Sequence, residues 1–330
     1  MLGPYPGASH SPDTTHPIHS DTECAYARQI RGGLDQKLNV YISPEAKRLV
    51  FPPNHRKGKT TAEDEKDYVI YPDRNRADLS VELHRPEGRL LPGRSTGSEA
   101  EAIFIYENPY IEKRNINRLR QRTRALNGEV EHVLSAVAQW NWHLKRTGGS
   151  HTHSTVSIGV FKLGTMYGDY LRPLDGPSCD LNQAGAVDLK VKANDRYGVK
   201  LSNKCSASLY IRMFYFDASN FSILDMFGHS RANGQLDPDV APYGQLTIGD
   251  GSNGGALLSF ELEPGVEVEV GFLKIFWSTD PLELDDIAQE SAFEQSSQVN
   301  PNSRKVGLKS TRCTRRQEWG SEIVTVVQRA

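Results

Sequence analysis

The sequence is poor in the residues that would mark several large classes of protein. It has only four cysteines in 330 residues, Cys24, Cys179, Cys205 and Cys313, and no two of them form a CxxC pair. Such scattered cysteines favour free thiols in a reducing compartment over a disulfide framework or a zinc site. No run of about 18 apolar residues occurs, which excludes a membrane-spanning helix. The first twenty residues also lack the basic and apolar regions of a signal peptide. We therefore predict a cytoplasmic protein without a membrane partner, with a nuclear location as the alternative.

Strong charge and high apolar content are lacking as well. The formal net charge is -2, so the whole chain gives no general electrostatic case for nucleic acid. Apolar residues make up 37% of the chain, and ten of the eighteen prolines lie in the first 100 residues. This composition predicts a core of about 150 residues with less ordered flanks. We expect residues 1–107 to form a low-order N-terminal region.

Residues 108–147 carry a helical pattern. Asn108 followed by Pro109 is typical of a helix N-cap with proline in the first turn. Apolar residues then recur at spacings of three and four, which is the a/d stripe of heptad packing. The stripe predicts one long helix, or two shorter ones, that pack inside the molecule or on another chain. The candidate partner surface on it consists of Leu119, Leu126, Val130, Val133, Val137 and Trp140.

The first half of this segment is strongly basic. The basic residues are Lys113, Arg114, Arg118, Arg120, Arg122 and Arg124. A solvated helix face is the simplest interpretation of such a run. Binding to RNA, DNA or an acidic protein is the alternative, and nucleic acid is disfavoured because no aromatic side chains interleave with the arginines.

Residues 154–330 have a β pattern organised around the stretch from Pro264 to Pro281. Past Gly271, Leu273, Ile275 and Trp277 take one side of a strand, and Lys274 and Phe276 take the other. Because both of its sides are largely apolar, this strand is expected in the middle of a sheet. The candidate core residues on it and on the strand expected to pair with it are Leu209, Phe214, Phe216, Val268, Val270, Phe272, Leu273, Ile275 and Trp277.

About nine short strands separated by turns predict a mainly β fold, an antiparallel β-sandwich preceded by the helix. A flexible basic loop is expected at about 294–318. The candidate strands are Thr155–Leu163, Ala186–Val191, Tyr197–Ser202, Ala207–Phe216, Phe221–Met226, Leu246–Ile248, Ala256–Leu262, Val266–Ser278 and Ile323–Gln328.

The cysteines and the glycine-rich loop do not match the patterns of a catalytic nucleophile or of a phosphate-binding loop. No cysteine lies in a small-residue turn that would expose a nucleophile. Cys205 opens a predicted strand, and Cys179 falls in a surface loop by composition. The glycine-rich segment Gly249–Gly255 lacks the lysine of a phosphate-binding loop and is interpreted as a hairpin loop, with Ca²⁺ at Asp250 as a remote alternative.

The histidines do not form a recognisable metal site. His151 and His153 could share one side of a strand, but no third ligand follows at metal-binding spacing. His10, His16 and His19 likewise have no carboxylate or cysteine at ligand spacing, so a polar tail is the simpler interpretation. We therefore predict no catalytic residue, no cofactor-binding residue and no metal ligand.

A series of short motifs in the second half of the chain resembles a known family. The motifs include Tyr197–Asn203, Phe214–Asp217, Leu246–Gly249, Val270–Phe276 and Val326–Arg329. In this order they resemble the C-terminal domain that follows the catalytic domain in fungal, mushroom-type caspase-like and metacaspase-like proteins.

The resemblance covers about residues 130 to 330, and the segment Val133–Thr147 is similar to the helix before that domain. Ile211 stands where the family pattern has proline. Residues 1–130 contain no counterpart of the caspase-like catalytic fold or of its histidine and cysteine motifs. No protease residue is therefore carried over to this chain.

These observations predict a non-catalytic interaction or regulatory module. Its partner would be a protein, either a caspase-like domain or a second copy of the chain through the heptad helix, and it would bind through sandwich loops or that helix. One alternative is a fragment of a caspase-like cysteine peptidase whose catalytic domain is missing. A minor alternative is nucleic-acid binding by the arginine-rich segments.

Overall fold

The computed structural model describes residues 37–52, 66–85, 100–148, 155–167, 170–174, 179–228, 237–253, 255, 257–294 and 318–330. Within these residues the chain forms fourteen strands in three sheets, together with three α-helices. The prediction of a mainly β fold is therefore confirmed.

The first sheet comes from the region predicted to have little order. Its strand order is β2-β1-β3-β4-β5, with β1 parallel to both β2 and β3 and with β4 antiparallel to β3 and β5. The low-order prediction for residues 1–107 is thus wrong for the described part of 38–106. In the sequence the apolar pieces of this region are cut short by proline or charge, and the strands are held by pairing with strands that are distant in the chain. The strands are β1 (Leu38–Ile42), β2 (Tyr68–Tyr71), β3 (Leu79–His84), β4 (Glu101–Tyr106) and β5 (Arg118–Arg124).

The helical segment is shorter than the heptad pattern predicts. Asn108 caps a single helical turn, α2 (Pro109–Glu112), by accepting a hydrogen bond from the backbone N–H of Tyr110 at 3.0 Å. The basic run that follows is strand β5, because its arginines recur every two residues and stand outward while the residues between them turn inward. Only α3 (Asn127–Lys145) is a long helix. A short helix, α1 (Pro44–Val50), follows β1 and is capped by Ser43.

The remaining strands form two further sheets. The order of sheet 2 is β11-β10-β13-β14-β8, and that of sheet 3 is β12-β9-β6-β7. The strand β13 therefore lies at the centre of sheet 2, as its two apolar sides predict. These strands are β6 (Val156–Tyr167), β7 (Tyr170–Pro173), β8 (Ala186–Lys190), β9 (Arg196–Asn203), β10 (Tyr210–Asp217), β11 (Ile223–Phe227), β12 (Gln245–Ile248), β13 (Val268–Ser278) and β14 (Trp319–Arg329).

The strand pattern departs from the antiparallel prediction in three places. β8 runs parallel to β14, with Ala186 opposite Thr325. In the described part of the predicted strand Ala256–Leu262, only a single bridge forms, from Leu258 to Tyr197. β7 was not predicted and adds an edge to sheet 3. The predicted basic loop at 294–318 lies, except for its two end residues, outside the described residues.

Two hydrophobic cores lie on opposite faces of sheet 2. The first core joins sheet 1 and α3 to one face of sheet 2, and the second core joins the other face to sheet 3. β13 contributes to both, with Phe272 and Phe276 in the first core and Leu273 and Ile275 in the second. Coverage on both faces explains why most residues in the second half of β13 are apolar.

Candidate functional site

Five of the six residues predicted as a partner surface are buried inside the chain. They belong to the first core, where α3 and β5 pack against the rest of the molecule. Of the two alternatives that the sequence leaves open, these five residues therefore take the internal one, because the helical period reports burial and does not tell an internal partner from an external one. Only Leu126, just before α3, is exposed. The buried five are Leu119, Val130, Val133, Val137 and Trp140.

Eight of the nine candidate core residues are buried, and they divide between the two cores. Phe214, Phe216, Val270 and Phe272 lie in the first core, while Leu209, Leu273, Ile275 and Trp277 lie in the second. Val268, at the start of β13, is half-buried and packs against the first core.

Two of the four cysteines lie in the described residues. Cys179 is exposed, and Cys205 is half-buried in the loop between β9 and β10. The thiol Sγ of Cys205 lies 3.1 Å from Asn203 Oδ1 and 3.5 Å from the carbonyl oxygen of Ala207. The thiol therefore acts as a donor that helps to shape this loop. The predicted candidates outside the described residues are Cys24, Cys313, His10, His16, His19, His151 and His153.

Metal-binding geometry is not found in the described part of the chain, where no group of three or more His, Cys, Asp and Glu side chains is placed to hold an ion. In the glycine-rich loop, Asp250 Oδ1 accepts hydrogen bonds from the N–H of Ser252 at 2.9 Å and from its Oγ at 2.6 Å. This is the chemistry of a tight turn, in which the carboxylate serves the backbone that follows it.

The arginines of β5 are partly engaged with acidic groups of the same chain. Arg122 pairs with Glu101 at 3.0 Å, and Arg124 pairs with Glu129 at the start of α3. Each pair removes a cation that a polyanion would otherwise neutralise. The Arg122 pair thus joins β5 to β4 within sheet 1, the Arg124 pair joins β5 to α3, and both reduce the charge that the run offers to nucleic acid.

An exposed turn precedes β12 at one end of sheets 2 and 3. We call it the Tyr243 turn, and it comprises Ala241, Pro242, Tyr243 and Gly244. The N–H of Gly244 donates to the carbonyl oxygen of Ala241 at 3.0 Å, and Tyr243 has a φ of 54°. Proline followed by a positive φ is the pattern of a type II turn, whose third position favours glycine or asparagine. A tyrosine there costs about 1–2 kcal/mol in backbone strain.

The side chain of Tyr243 points into solvent. It is 70% exposed, the largest exposed fraction among the big apolar and aromatic side chains of the described residues. A strained backbone therefore presents an aromatic ring that contributes little to either core.

A buried amide fixes the Tyr243 turn to the loop between β9 and β10. Asn203, only 4% exposed, donates from Nδ2 to the carbonyl oxygens of Ala207 at 2.7 Å and Ala241 at 2.9 Å. Its Oδ1 accepts from the N–H of Cys205 at 2.9 Å, and the N–H of Tyr243 donates to Cys205 O at 3.1 Å. Because both ends of the amide are bonded, the two loops are held in one arrangement.

Carboxylates surround the start of β10 at the same end of the sheets. Asp239 Oδ2 accepts a hydrogen bond from the N–H of Ile211 at 2.7 Å. Burial raises the pKa of Tyr210, and the negative charges of Asp237, Asp280 and Asp239 raise it further. The segment that leads into the Tyr243 turn is therefore acidic.

A second polar cluster lies at the opposite end of β10 and β13. Gln328 Nε2 donates to the hydroxyl of Tyr215 at 2.8 Å, and that hydroxyl lies over Gly271, where any larger side chain would overlap it. Burial raises the pKa of Glu269 to about 7, and the charge of Asp217 raises it as well. The hydrogen bond from Gln328 to Tyr215 links β14 to β10 across β13 and stabilises sheet 2, whereas the proximity of Asp217 and Glu269 disfavours two negative charges there.

The Tyr243 turn was missed by sequence reasoning. The signal available was Pro242 followed two residues later by Gly244, which predicts a turn but not its type. The positive φ of the tyrosine and the role of Asn203 depend on contacts between loops that are far apart in the chain.

Comparisons with known proteins yield no relative. None of the protein-family models, curated proteins and solved structures that were searched matches the chain. The resemblance to caspase-associated C-terminal domains therefore stays a prediction. No helix among the described residues combines the length and the apolar composition needed to cross a bilayer.

Proposed function

We propose that this chain is a non-catalytic, protein-binding β-sandwich module and that the Tyr243 turn is its contact point. The apolar stripe of helix α3 is buried inside the molecule. The loops at the ends of sheets 2 and 3 are therefore the surface that a partner would contact. The observation that carries the proposal is Tyr243 itself, an aromatic side chain 70% exposed at a φ of 54° on a turn fixed by Asn203.

The physical properties of this turn match those of a binding hot spot. Tyrosine supplies a large contact area at a low cost in side-chain entropy, and it is enriched among residues that dominate interface energies. A turn that is already rigid loses little freedom when a partner binds. Asp237 and Asp239, which lead into the turn, favour a partner surface that carries lysine or arginine.

We propose a cytoplasmic location, which the free thiols of Cys179 and Cys205 support. The family resemblance makes a caspase-like domain the first partner to test.

Tyr243→Gly is expected to raise the free energy of unfolding by about 0.5–1 kcal/mol, because glycine adopts a positive φ without strain. Urea unfolding should show a higher midpoint at an unchanged slope. Tyr110→Gly is the matched control, since Tyr110 is also exposed but lies in the helical turn α2. Glycine there should lower stability by a similar amount. A loss of stability in Tyr243→Gly would contradict the strained turn.

The binding function is tested with the same two variants. A photo-crosslinking amino acid at position 243 of the full chain should capture a partner in cells, and the purified chain should then bind that partner directly. Tyr243→Gly should weaken this binding at least tenfold although the protein is more stable, whereas Tyr110→Gly should bind normally. Equal affinity of the wild-type chain and Tyr243→Gly would overturn the proposal.

A further inference from the structure

The strand β2 forms one outer edge of sheet 1. The strand order ends with β2 beside β1, and no other described strand pairs with the free side of β2. The strand reads Tyr-Val-Ile-Tyr over Tyr68–Tyr71, without charge, proline or glycine. Residues of these types favour β pairing, and an edge without charge is the kind to which another strand can add.

The free side of β2 offers backbone donors and acceptors. β1 and β2 are parallel, and the N–H of Leu38 donates to the carbonyl oxygen of Asp67 at 3.1 Å. Because successive residues of a strand direct their peptide groups to opposite sides, Val69 also bonds toward β1. The N–H and C=O groups of Tyr68 and Ile70 therefore point outward, and no hydrogen bond to them is found among the described residues.

The opposite edge of the same sheet is protected by charge. On the edge strand β5 the exposed residues are Arg118, Arg120, Arg122 and Arg124. Two copies of β5 placed side by side would set like charges against each other, which is one way in which proteins protect an edge strand. Two copies of β2 meet no such repulsion within the strand, so the edge of β2 is the one that can accept a second copy.

The alternation of the peptide groups fixes the register of two antiparallel copies of β2. On a twofold axis through Val69, Tyr68 of each copy lies opposite Ile70 of the other, and each such pair exchanges two hydrogen bonds. Every outward N–H and C=O group of both strands is then used. Ile70, which is 38% exposed, packs beside Tyr68 of the second copy. An axis through Ile70 would instead place Pro72, which has no N–H, opposite Tyr68.

Charges beside β2 are complementary in this register. Asp67 lies on the same side of the sheet as Val69 and Tyr71, and it comes opposite Tyr71 of the second copy. The guanidinium of Arg76 lies 5.4 Å from the centre of the Tyr71 ring. The register therefore brings the Asp67 carboxylate of one copy to the Arg76 guanidinium of the other, and the axis repeats the pair. Both residues are exposed, and neither forms an ion pair with another described residue.

We propose that β2 is a dimer interface, at which a second copy of the chain adds its own β2 antiparallel and joins the two five-stranded sheets into one. The contact uses the same surface of both copies, so it closes as a dimer and does not continue into a fibre. The paired strands have four residues each, so the interface is small and the dimer depends on protein concentration. The interface involves sheet 1 alone and does not depend on the function proposed for the Tyr243 turn.

Sedimentation equilibrium of the full chain over a wide range of concentration tests the proposal. The wild type should populate both monomer and dimer. Asp67→Arg and Arg76→Asp should each raise the dissociation constant by about tenfold or more, because each sets like charges against each other at two symmetric places. The double variant Asp67→Arg/Arg76→Asp should restore the dimer, which a mere structural defect would not do. Arg118→Asp, on the opposite edge of sheet 1, is the matched control and should leave the constant unchanged.

Two results of this experiment would overturn the proposal. A wild type that stays monomeric at every concentration shows that a second copy does not occupy the edge of β2. A dimer that both single charge reversals leave intact forms through another surface of the chain.

A cross-link tests the register. In Val69→Cys the two introduced thiols face each other on the axis, at a Cα separation of about 4.5 Å that suits a disulfide. In Ile70→Cys the two thiols lie diagonally, about 7–8 Å apart, which is outside that range. Under mild oxidation Val69→Cys should therefore form a covalent dimer much faster than Ile70→Cys, with the wild type and its four natural cysteines as the background. Equal rates for the two variants would overturn the antiparallel pairing on Val69.

Discussion

Trp140→Ala is expected to lower the free energy of unfolding by about 3–5 kcal/mol, the range for removing a large aromatic side chain from a core. Trp140 is 0% exposed, and its Nε1 donates to the carbonyl oxygen of Ser222 at 3.2 Å. The indole lies at the meeting point of sheet 1, α3 and sheet 2. Four aromatic rings approach it edge to face, with centroids 5.3 to 6.1 Å away: Tyr106, Phe216, Phe221 and Phe272.

Chemical denaturation with a fit of the midpoint and slope measures this loss. Trp140→Phe is the matched control, because it keeps a ring in the cluster but removes the indole N–H and part of the volume. It should cost about 1–3 kcal/mol, less than alanine. If alanine and phenylalanine cost the same, or if alanine costs under about 1.5 kcal/mol, the indole is not the packing centre described above.

The second large effect is expected at Arg212, a buried cation held by two aspartates. Its Nη2 lies 2.6 Å from Asp225 Oδ2 and its Nη1 lies 2.8 Å from Asp285 Oδ1, while the arginine side chain is only 6% exposed. Replacing both acids by asparagine should cost about 2–4 kcal/mol, because the guanidinium then stays buried without a negative charge beside it. The lower end of that range reflects the partial exposure of both carboxylates.

The control for this prediction is Arg212→Met, which removes the charge and keeps an unbranched apolar chain. A buried ion pair replaced by apolar groups is often close to neutral, so this variant should lose less stability than the double asparagine variant. The measurement is the free energy of unfolding of the wild type, the double asparagine variant and Arg212→Met. If Arg212→Met were less stable than the double asparagine variant, the ion pairs themselves, and not the cost of a buried unpaired cation, would govern stability here.

The sequence predicts the elements whose own residues determine their environment. β13 and β10 are central strands because both of their sides are apolar, and the observed bounds Val268–Ser278 and Tyr210–Asp217 lie close to the predicted ones. The helix pattern also finds α3, but Arg118–Arg124 were assigned to it although their spacing of two is that of a strand.

Features that depend on distant contacts could not be predicted. β1 and β2 of sheet 1 are parallel neighbours joined by a crossover, and no local pattern shows that pairing. The positive φ of Tyr243 follows from loops that meet through Asn203. Lys274 does leave a trace in the sequence, since a lone lysine stands on an otherwise apolar side of a strand, but the carbonyl oxygens of Leu144 and Arg146 that accept from its Nζ lie 130 and 128 residues earlier.

The shared position of β13 also bears on how the molecule can be divided. The sequence predicts the β-sandwich over residues 154–330, yet one face of sheet 2 is covered by α3 and sheet 1. A protein reduced to residues 154–330 would lack α3 and sheet 1, and the side chains of Phe214, Phe216, Phe272 and Phe276 would face water. Such an exposed apolar area favours self-association, so the smallest unit that keeps this core covered includes the strands of sheet 1 and α3.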